Sequence, residues 1–509
     1  MLYLGIDSST QGVKGIIIDP AQKKVVAEAA VNFGKDLPQY NAPNGFLEQA
    51  DPLIKQSDPR MWLDGLELML KRFQDSGVPL DQVAAISGSG QQHGSVYLNA
   101  QAETVLQNLS AEKSLAEQLA PCFSRKLSPI WMDRSTKEEC AELSAKFGAT
   151  LQKITGSPAT ERFTGPQIRK FYKDQPEDYA NTDKIHLVSS FLCSALIGKH
   201  APIDYGDGAG MNLLDLTVLD YHAEITEFTA PGLIQKLPPA AASGTIAGTL
   251  VPYFEKYGMK SGIPVIVWSG DNPNSLIGTG CFEAGIAGIS LGTSDTVFAT
   301  MNEFCTDPDG YGHVMGNPAG GFMSLICFTN GSLARDRVRE ECKVDWETFD
   351  KLSAETENPD LHLILPYFDA ESTPLQLIRG PHYNFDCKAE PADKMIRALL
   401  ESQALSMKLH TSWLKDPVRK IRLTGGASAC KGFRQIIADV FQADVETISV
   451  SNSAGLGAAF RAANSAGKIP FPVLAEYFCG AVETVKPDPA MKDHYQTALE
   501  KYKAFEAER

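Results

Sequence analysis

The sequence lacks several features that would assign it to a narrow class. Its 509 residues contain no apolar run approaching the ~20 residues of a membrane-spanning helix. The ten cysteines show no Cys-x-x-Cys spacing, which disfavours a disulfide framework and favours a reducing compartment, by default the cytoplasm. Residues Met1 to Asp7 carry no basic segment, so we expect a first strand there rather than a signal peptide.

Several catalytic and binding signatures are also missing. There is no low-complexity tract, His-Glu-x-x-His site, Gly-x-Ser-x-Gly elbow or Walker P-loop. The formal charge of −15 and the pI near 5.2 argue against nonspecific binding to nucleic acid, which depends on cationic contacts with phosphate. The composition, 43% hydrophobic and 21% charged, is that of a globular protein, and we expect neither nucleic-acid nor membrane partners.

The length permits two large lobes. Between Pro231 and Gly248 the composition turns to Pro, Ala, Gly and Ser, which predicts a boundary there. We therefore assign residues 1–247 to an N-terminal lobe and residues 248–509 to a C-terminal lobe. The amphipathic stretch Ala490 to Arg509 predicts a final helix, which we expect to pack back on the first lobe.

A loop around Asp271 is the most informative stretch. The apolar run from Ile263 to Trp268 predicts a buried strand that stops at Ser269-Gly270 and then presents Asp271 and Asn272. Ligands of open α/β sheets collect at the carboxyl ends of strands, where a carboxylate can take a proton from a hydroxyl. The alternative is an aspartate that caps a helix starting near Ser275.

The turn after the first strand suits phosphate oxygens. Residues Tyr3 to Asp19 read as a hairpin whose turn offers hydroxyl and backbone N–H groups, flanked by Asp7 and Lys14. The alternative is an ordinary polar hairpin turn. Ile286 to Thr300 repeats the order of strand, glycine, hydroxyl-rich turn and strand, which predicts two similar lobes.

Two further segments carry polyol-binding chemistry. The strand starting at Val83 ends in a glycine-rich loop with Gln92 and His93, whose amide and imidazole can grip hydroxyls. Arg162, in a turn-rich segment, offers a planar fork of donors. The alternatives are a structural histidine and a surface arginine.

Other segments have structural interpretations. Asp133 and Arg134 are placed to form an ion pair, and residues Asp204 to Gly210 predict a glycine-rich loop. Gly425-Gly426, before a helix predicted from Lys431 to Phe441, lets a flat group or a phosphate approach the backbone. Residues Ser453 to Ala463 predict a close-packed helix of small residues.

Seven motifs occur in order: GIDSSTQGVK, SGSGQQHGS, WMDRST, ERFTG, SGDNP, SLGTSDT and LTGGAS. This series resembles the FGGY carbohydrate kinases over almost the whole chain. The resemblance implies an α/β fold of two actin-like, ribonuclease-H-like lobes with an active-site cleft between them. ATP and Mg²⁺ would take part in the reaction, with Asp7 a candidate metal ligand, and a homodimer is an option.

The same resemblance assigns roles to individual residues. Asp271 would be the catalytic base. The sugar-binding residues would be Gln92, His93, Arg162, Asp271 and Asn272. The phosphate and nucleotide residues would be Asp7, Ser9, Thr10, Lys14, Gly292, Thr293, Ser294, Asn330, Gly425, Gly426 and Ala427.

Two positions depart from the family pattern. Many members have glycine where Ser9 stands and a small residue at Asp295, where an acid would repel a phosphate unless it points away or faces Mg²⁺.

The implied reaction is transfer of the ATP γ-phosphoryl group to the C5 hydroxyl of D-xylulose. Ribulose, a hexulose or glycerol are alternative acceptors. An actin-like ATPase coupled to protein partners and a catalytically inactive sugar sensor are the other classes.

Overall fold

The computed structural model describes all residues from Met1 to Arg509. The chain forms two compact units. The first comprises Met1–Gly280, Val314–Phe322 and Ser451–Phe478. The second comprises Cys281–His313, Met323–Val450 and Cys479–Arg509.

The chain contains both strands and helices throughout its length. The strands are β1 (Leu2–Ser8), β2 (Gly12–Asp19), β3 (Lys24–Asn32), β4 (Gln56–Ser57), β5 (Val83–Gly90), β6 (Ser95–Leu98), β7 (Ser128–Pro129), β8 (Lys184–Leu187), β9 (Ile203–Asp204), β10 (Leu214–Asp215), β11 (Asp220–Tyr221), β12 (Ala240–Ala241), β13 (Ile246–Thr249), β14 (Pro264–Ile266), β15 (Ser269–Gly270), β16 (Ile286–Leu291), β17 (Asp295–Met301), β18 (His313–Gly316), β19 (Phe322–Phe328), β20 (Ile364–Leu365), β21 (His382–Tyr383), β22 (Lys420–Thr424), β23 (Asp444–Ile448) and β24 (Ala481–Val485). The helices are α1 (Phe33–Asp36), α2 (Pro59–Asp75), α3 (Gln101–Gln107), α4 (Leu115–Leu119), α5 (Lys137–Phe147), α6 (Ala149–Thr155), α7 (Thr164–Asp174), α8 (Pro176–Asn181), α9 (Val188–Ile197), α10 (Tyr205–Gly208), α11 (Ala223–Thr229), α12 (Leu233–Lys236), α13 (Asp271–Gly278), α14 (Ser332–Glu341), α15 (Trp346–Glu355), α16 (Ala392–His410), α17 (Lys431–Phe441), α18 (Ser453–Ser465), α19 (Phe471–Phe478) and α20 (Lys492–Ala507). None of these helices is long and apolar enough to cross a lipid bilayer.

The first unit is built on a sheet with strand order β13-β14-β5-β1-β2-β3, and β15 also pairs with β5. The predicted hairpin is confirmed, because β1 and β2 pair antiparallel from Tyr3–Ile18 to Ser8–Val13. The strands β1, β5, β14 and β15 run parallel. Their apolar side chains pack into a core with those of α2 and α9, which includes Trp62 and Trp268.

The second unit repeats this topology. Its sheet contains the order β19-β17-β16-β22-β23-β24, in which β16 and β17 form an antiparallel hairpin and β22 lies parallel to β16. The hairpin therefore has the same place in both sheets, beside a parallel strand. The predicted α/β fold of two similar lobes is confirmed.

The division into units differs from the predicted boundary between residues 247 and 248. The strands β13 and β14 pair with each other and β14 pairs with β5, so the sheet of the first unit continues beyond that point. The C-terminal helix also differs from expectation, since α20 packs on α16 and α17 within the second unit. The C-terminal segment that belongs to the first unit is Ser451–Phe478, which contains α18.

Two local predictions are corrected by the structure. The helix after the Asp271 loop begins at Asp271 itself rather than near Ser275. The predicted loop Asp204–Gly210 is helical, because the Asp204 side chain accepts a hydrogen bond from the Asp207 backbone and caps α10.

The small residues of α18 permit a very close approach to α13 and β1. A Cβ atom on Gly457 would lie 1.9 Å from the carbonyl oxygen of Asn274, and one on Gly5 would lie 2.0 Å from that of Gly455. Both obstacles are backbone atoms, which cannot rotate away as a side chain would.

We expect Gly457→Ala to lower the free energy of unfolding of the first unit by about 1–3 kcal/mol, because the added methyl group must separate α18 from α13. Urea denaturation measures the change. Gly244→Ala is the matched control, since its new Cβ would meet only the Ser465 hydroxyl at 3.4 Å. Equal stabilities of the two variants would contradict the packing argument.

Candidate functional site

Three parallel strands of the first unit end side by side in polar residues. Asp7 of β1 is the register partner of Ser89 of β5, and Ser269 of β15 is the partner of Ser89 on its other side. The residues that follow these strands are therefore neighbours at one edge of the sheet. They include Gln92, His93 and Asp271, which the sequence places far apart.

Asp271 is the first residue of α13, and Gly270 occupies the N-cap position. Asp271 is therefore not the N-cap residue of this helix, which differs from the cap alternative. The Asp271 Oδ1 atom accepts from the backbone N–H of Asn272 at 2.9 Å and from its Nδ2 at 3.1 Å. Both bonds end on Oδ1, so Asn272 makes no bond to Oδ2.

The two carboxyl groups at this edge have shifted pKa values. The pKa of Asp271 is raised to about 7. Burial is the main cause, and the negative charge of Asp7 contributes in the same direction. Burial likewise raises the pKa of Asp7 to about 6, although the positive charge of Lys14 acts in the opposite direction. A carboxyl group with a pKa near 7 is suited to accept a proton at neutral pH.

The same edge holds buried polar atoms without hydrogen-bond partners. They are Asp7 Oδ1, Ser8 Oγ, Ser89 Oγ and both amide atoms of Gln91. Most buried polar groups in folded proteins are paired, so such a cluster is costly unless a polar ligand or water satisfies it. This favours a polar ligand at the ends of β1 and β5.

Gln92 and His93 are held in fixed orientations. Gln92 Oε1 accepts from Asn272 Nδ2 at 2.8 Å. His93 has a φ of 68°, stacks on Phe163 with 4.2 Å between ring centroids, and places Nδ1 2.9 Å from the Gly210 carbonyl oxygen. Nδ1 therefore carries the proton, and in the neutral ring Nε2 is the acceptor.

Arg162 immediately precedes Phe163 and is partly exposed. The stacking of Phe163 on His93 brings this part of the chain beside the glycine-rich loop. The neighbouring Thr164 reinforces the contact, because its hydroxyl donates to the His93 carbonyl oxygen at 3.0 Å.

The hairpin turn lies against a groove of the first unit. Ser9, Thr10 and Lys14 line a cavity of about 860 Å³ that also contains Lys35 and Arg72. The Trp131 indole donates to the Thr10 hydroxyl at 2.7 Å. The predicted Asp133–Arg134 ion pair is not formed, since Asp133 instead accepts from the Lys55 backbone and from Gln167.

In the second unit the structure groups most of the predicted nucleotide residues. Gly426 and Ala427 line a cavity of about 340 Å³ with Trp346 and Phe433. Gly425 has a φ of 89°, and a Cβ atom there would lie 2.3 Å from the Leu291 carbonyl oxygen, beside Gly292. Thr293 and Ser294 of the same turn are exposed.

Asn330 does not line that cavity. It is buried, its Nδ2 donates to the Asp369 carbonyl at 3.0 Å and to Glu371 at 2.9 Å, and its Oδ1 accepts from the Asp369 backbone. Both ends of the Asn330 amide are therefore used in hydrogen bonds within the protein, which is the arrangement of a residue that stabilises the surrounding structure.

Asp295 points into the second unit and not towards its exposed turn. Its two oxygens accept from Arg335 at 2.7 and 2.9 Å, and both side chains are at most 2% exposed. Arg335 also donates to Gln403 Oε1 at 3.0 Å, and Gln403 in turn donates to the Asn330 carbonyl oxygen. A guanidinium ion therefore neutralises the acid that departs from the family pattern.

The sequence interpretation missed Arg335 and three buried polar residues of the first unit. Asp204 accepts from Ser269 Oγ at 2.5 Å, Asp207 has an unpaired buried Oδ1, and Arg461 donates to Asn274 Oδ1 at 3.1 Å. Two sequence signals could have identified the residues of the first unit. Asp204 and Asp207 form an Asp-x-x-Asp pattern that is typical of a helix start, and Arg461 is the one arginine in a predicted helix of small residues. The positions of the three residues of the first unit near Asp271 depend on the fold.

Comparisons with known proteins agree with this geometry. Residues 125–278 match the N-terminal domain of the FGGY family of carbohydrate kinases, and residues 287–466 match its C-terminal domain. Xylulose kinase of Rattus norvegicus is 38% identical over 518 residues, covering 99% of this chain and 96% of the relative. Xylulose kinase 2 of Arabidopsis thaliana is 37% identical over 519 residues, covering 96% and 92%. The fold is similar to that of xylulose kinase from Rhodospirillum rubrum, with a TM-score of 0.85 at 19% identity over 100% of this chain and 98% of the other.

We expect Arg335→Met to lower the free energy of unfolding of the second unit by about 3–5 kcal/mol, because Asp295 is left buried without its counter-charge. The Asp295→Leu/Arg335→Met double variant should recover most of that loss, since an apolar pair can replace a buried ion pair. Urea titration followed by tryptophan fluorescence tests both. A single variant as stable as the wild type would contradict the role of the ion pair.

Proposed function

Since the chain belongs to the FGGY family of carbohydrate kinases, we propose that it transfers the γ-phosphoryl group of ATP to the C5 hydroxyl of D-xylulose, giving D-xylulose 5-phosphate and ADP. The observation that carries the proposal is Asp271, a carboxyl group with a pKa of about 7 at the polar edge of the first sheet. The relatives named xylulose kinase support the choice of sugar.

The reaction forms one bond and breaks another. The C5 oxygen attacks the γ-phosphorus, the bond from that phosphorus to the bridging oxygen of ADP breaks, and the hydroxyl proton passes to Asp271 Oδ2. Phosphoryl transfer depends mainly on positioning and charge stabilisation, so the base has to hold the hydroxyl in line. The two bonds from Asn272 to Oδ1 fix the carboxyl plane for that purpose.

The sugar would be bound by residues of the first unit. His93 Nε2 would accept a hydrogen bond from a sugar hydroxyl, and Arg162 would donate hydrogen bonds to hydroxyl oxygens. Gln92 and Asn272 would set the hydrogen-bond pattern beside Asp271. The fixed orientation of Gln92 and the stacked ring of His93 support these roles. Side chains that are already ordered lose less conformational entropy when the ligand binds.

The phosphates and the nucleoside would be bound by two groups of residues. Ser9, Thr10 and Lys14 of the first unit offer two hydroxyls and a cation along their groove. Gly292, Thr293 and Ser294, with Gly425, Gly426 and Ala427, form the second group, whose cavity has the aromatic wall that suits a purine. Asn330 would act by supporting this second group through Gln403.

Mg²⁺ fits one position in the first unit. No group of three or more His, Cys, Asp or Glu side chains could hold a metal ion, but Mg²⁺ is commonly held by one or two carboxylates together with substrate phosphates. Asp7 would hold it, because its buried Oδ1 has no hydrogen-bond partner. When bound, the ion would neutralise charge on phosphate oxygens.

The remaining predictions concern the protein's surroundings. The ten cysteines show no Cys-x-x-Cys spacing, which supports a reducing compartment such as the cytoplasm. A homodimer and the absence of nucleic-acid and membrane partners stay predictions.

We expect Asp271→Asn to reduce turnover of D-xylulose by about 10²–10⁴-fold while sugar binding is retained, because the amide keeps the shape of the carboxylate but cannot accept the proton. Coupled-assay kinetics and calorimetric titration measure the two effects. Asp64→Asn, at a carboxyl hydrogen-bonded to Tyr40 in the same unit, is the control and should keep normal turnover. Near-normal turnover of Asp271→Asn would exclude it as the base.

We also expect turnover to fall as the pH drops through about 7, since a base with that pKa is protonated and inactive at lower pH. Asp7→Asn should move this acidic limb to lower pH, because the charge of Asp7 is one cause of the raised pKa of Asp271. The position of the limb is read from the pH profile of the surviving activity. An unchanged limb would show that the two carboxyl groups are not coupled.

A further inference from the structure

Met315 reaches the sugar-binding residues from a distant part of the sequence. The segment Val314–Phe322 belongs to the first unit, although the residues on both sides of it belong to the second. Met315 is 1% exposed, and its Sδ atom lies 3.4 Å from Gln92 Nε2.

The backbone around Met315 is fixed on both sides. The Val314 N–H donates to the Gly156 carbonyl oxygen at 3.0 Å. On the other side, a Cβ atom on Gly316 would lie 2.9 Å from the Gly206 nitrogen, so these two chain segments touch. These main-chain contacts hold the Met315 thioether against Gln92. Because they involve the backbone, a substitution of the Met315 side chain leaves them in place.

The contact is consistent with the direction of the Gln92 amide. A thioether has no donor and accepts only weakly, so it faces the NH₂ end of the amide. The Oε1 end then accepts from Asn272 Nδ2, and the same Nδ2 donates to Asp271 Oδ1. If the Gln92 amide were reversed, its NH₂ group would face the NH₂ group of Asn272, and neither could accept a hydrogen bond from the other. Met315 thus lies at the start of a one-directional chain of contacts that ends on the candidate base.

Met315 also limits where Gln92 can move. On the side of Gly270 there is no space, because a Cβ atom there would lie 2.4 Å from Gln92 Cγ. Met315 is a flexible neighbour of Gln92, because its thioether is carried on an unbranched chain with three rotatable bonds. Shortening that side chain would let Gln92 withdraw from Asn272 and enlarge the space beside Asp271.

We propose that Met315 is a specificity-determining residue of the sugar site: it fills the space behind Gln92 and so fits the site to a five-carbon ketose. This rests on the proposed function, since it concerns the acceptor of the same reaction. With a shorter side chain the site would accept the additional hydroxymethylene unit of a six-carbon ketose. Met315 acts through Gln92 and is not itself a catalytic residue.

The test compares kcat/KM for D-xylulose with kcat/KM for D-fructose in Met315→Val and Met315→Ala. Valine suits a strand position and keeps the fold, while alanine makes the larger space. We expect the ratio of the two efficiencies to shift towards D-fructose by about 10-fold or more in the alanine variant, the range for one or two methylenes in a pocket, and by less in the valine variant. KM for ATP should be unchanged in both.

Two controls separate specificity from packing. Met315→Leu conserves volume and should keep the ratio within about threefold of the wild type. Met61→Ala removes a methionine that is also fully buried in the first unit, in α2, and should lower stability without changing the ratio.

A wild type active on D-xylulose whose valine and alanine variants keep the wild-type ratio would overturn the role of Met315 alone. Equal losses for both sugars would do the same, since they indicate a packing role only. A wild type that phosphorylates neither ketose would instead overturn the proposed function.

Discussion

One buried guanidinium group connects the elements that carry the candidate base. Arg461 of α18 is 1% exposed and donates to the carbonyl oxygens of Ser243 and Val267 at 2.8 and 2.6 Å. It also donates to Asn274 in the first turns of α13, three residues after Asp271. Because a buried charge without partners would be costly, these bonds fix the end of β14 and the start of α13 together. The place of Asp271 at the sheet edge depends on them.

The fixed edge explains how two acids can lie close together in a protein that carries a formal charge of −15. Asp7 lies in β1 and Asp271 follows β15, and because both strands pair with β5, the sheet sets the separation of the two acids. Burial and mutual repulsion raise the pKa of Asp271 towards neutrality, which a surface loop would not do. In the second unit, the acid Asp295 is instead paired with Arg335. Its side chain points away from the hydroxyl-rich turn of that unit.

Much of this arrangement is predictable from the sequence, because it depends on local patterns. Strand-to-turn transitions identified β1, β5 and β14 and the loops that follow them, and the second hairpin revealed the repeated topology. The order of seven motifs added the roles that are proposed for Asp271 and His93. Long-range packing was not predictable: Met315 lies 223 residues from Gln92, and Arg461 lies 187 residues from Asn274. The helix start at Asp271 was missed because Asp-Asn-Pro is also typical of a turn.

The most direct measurement of the central claim is sugar-dependent release of ADP with a panel of acceptors: D-xylulose, D-ribulose, D-fructose and glycerol. A ketopentose kinase with Asp271 as its base should release ADP with the highest kcat/KM on D-xylulose, and the product should carry its phosphate at C5. ADP release that is independent of any sugar, or highest efficiency on glycerol, would contradict the account.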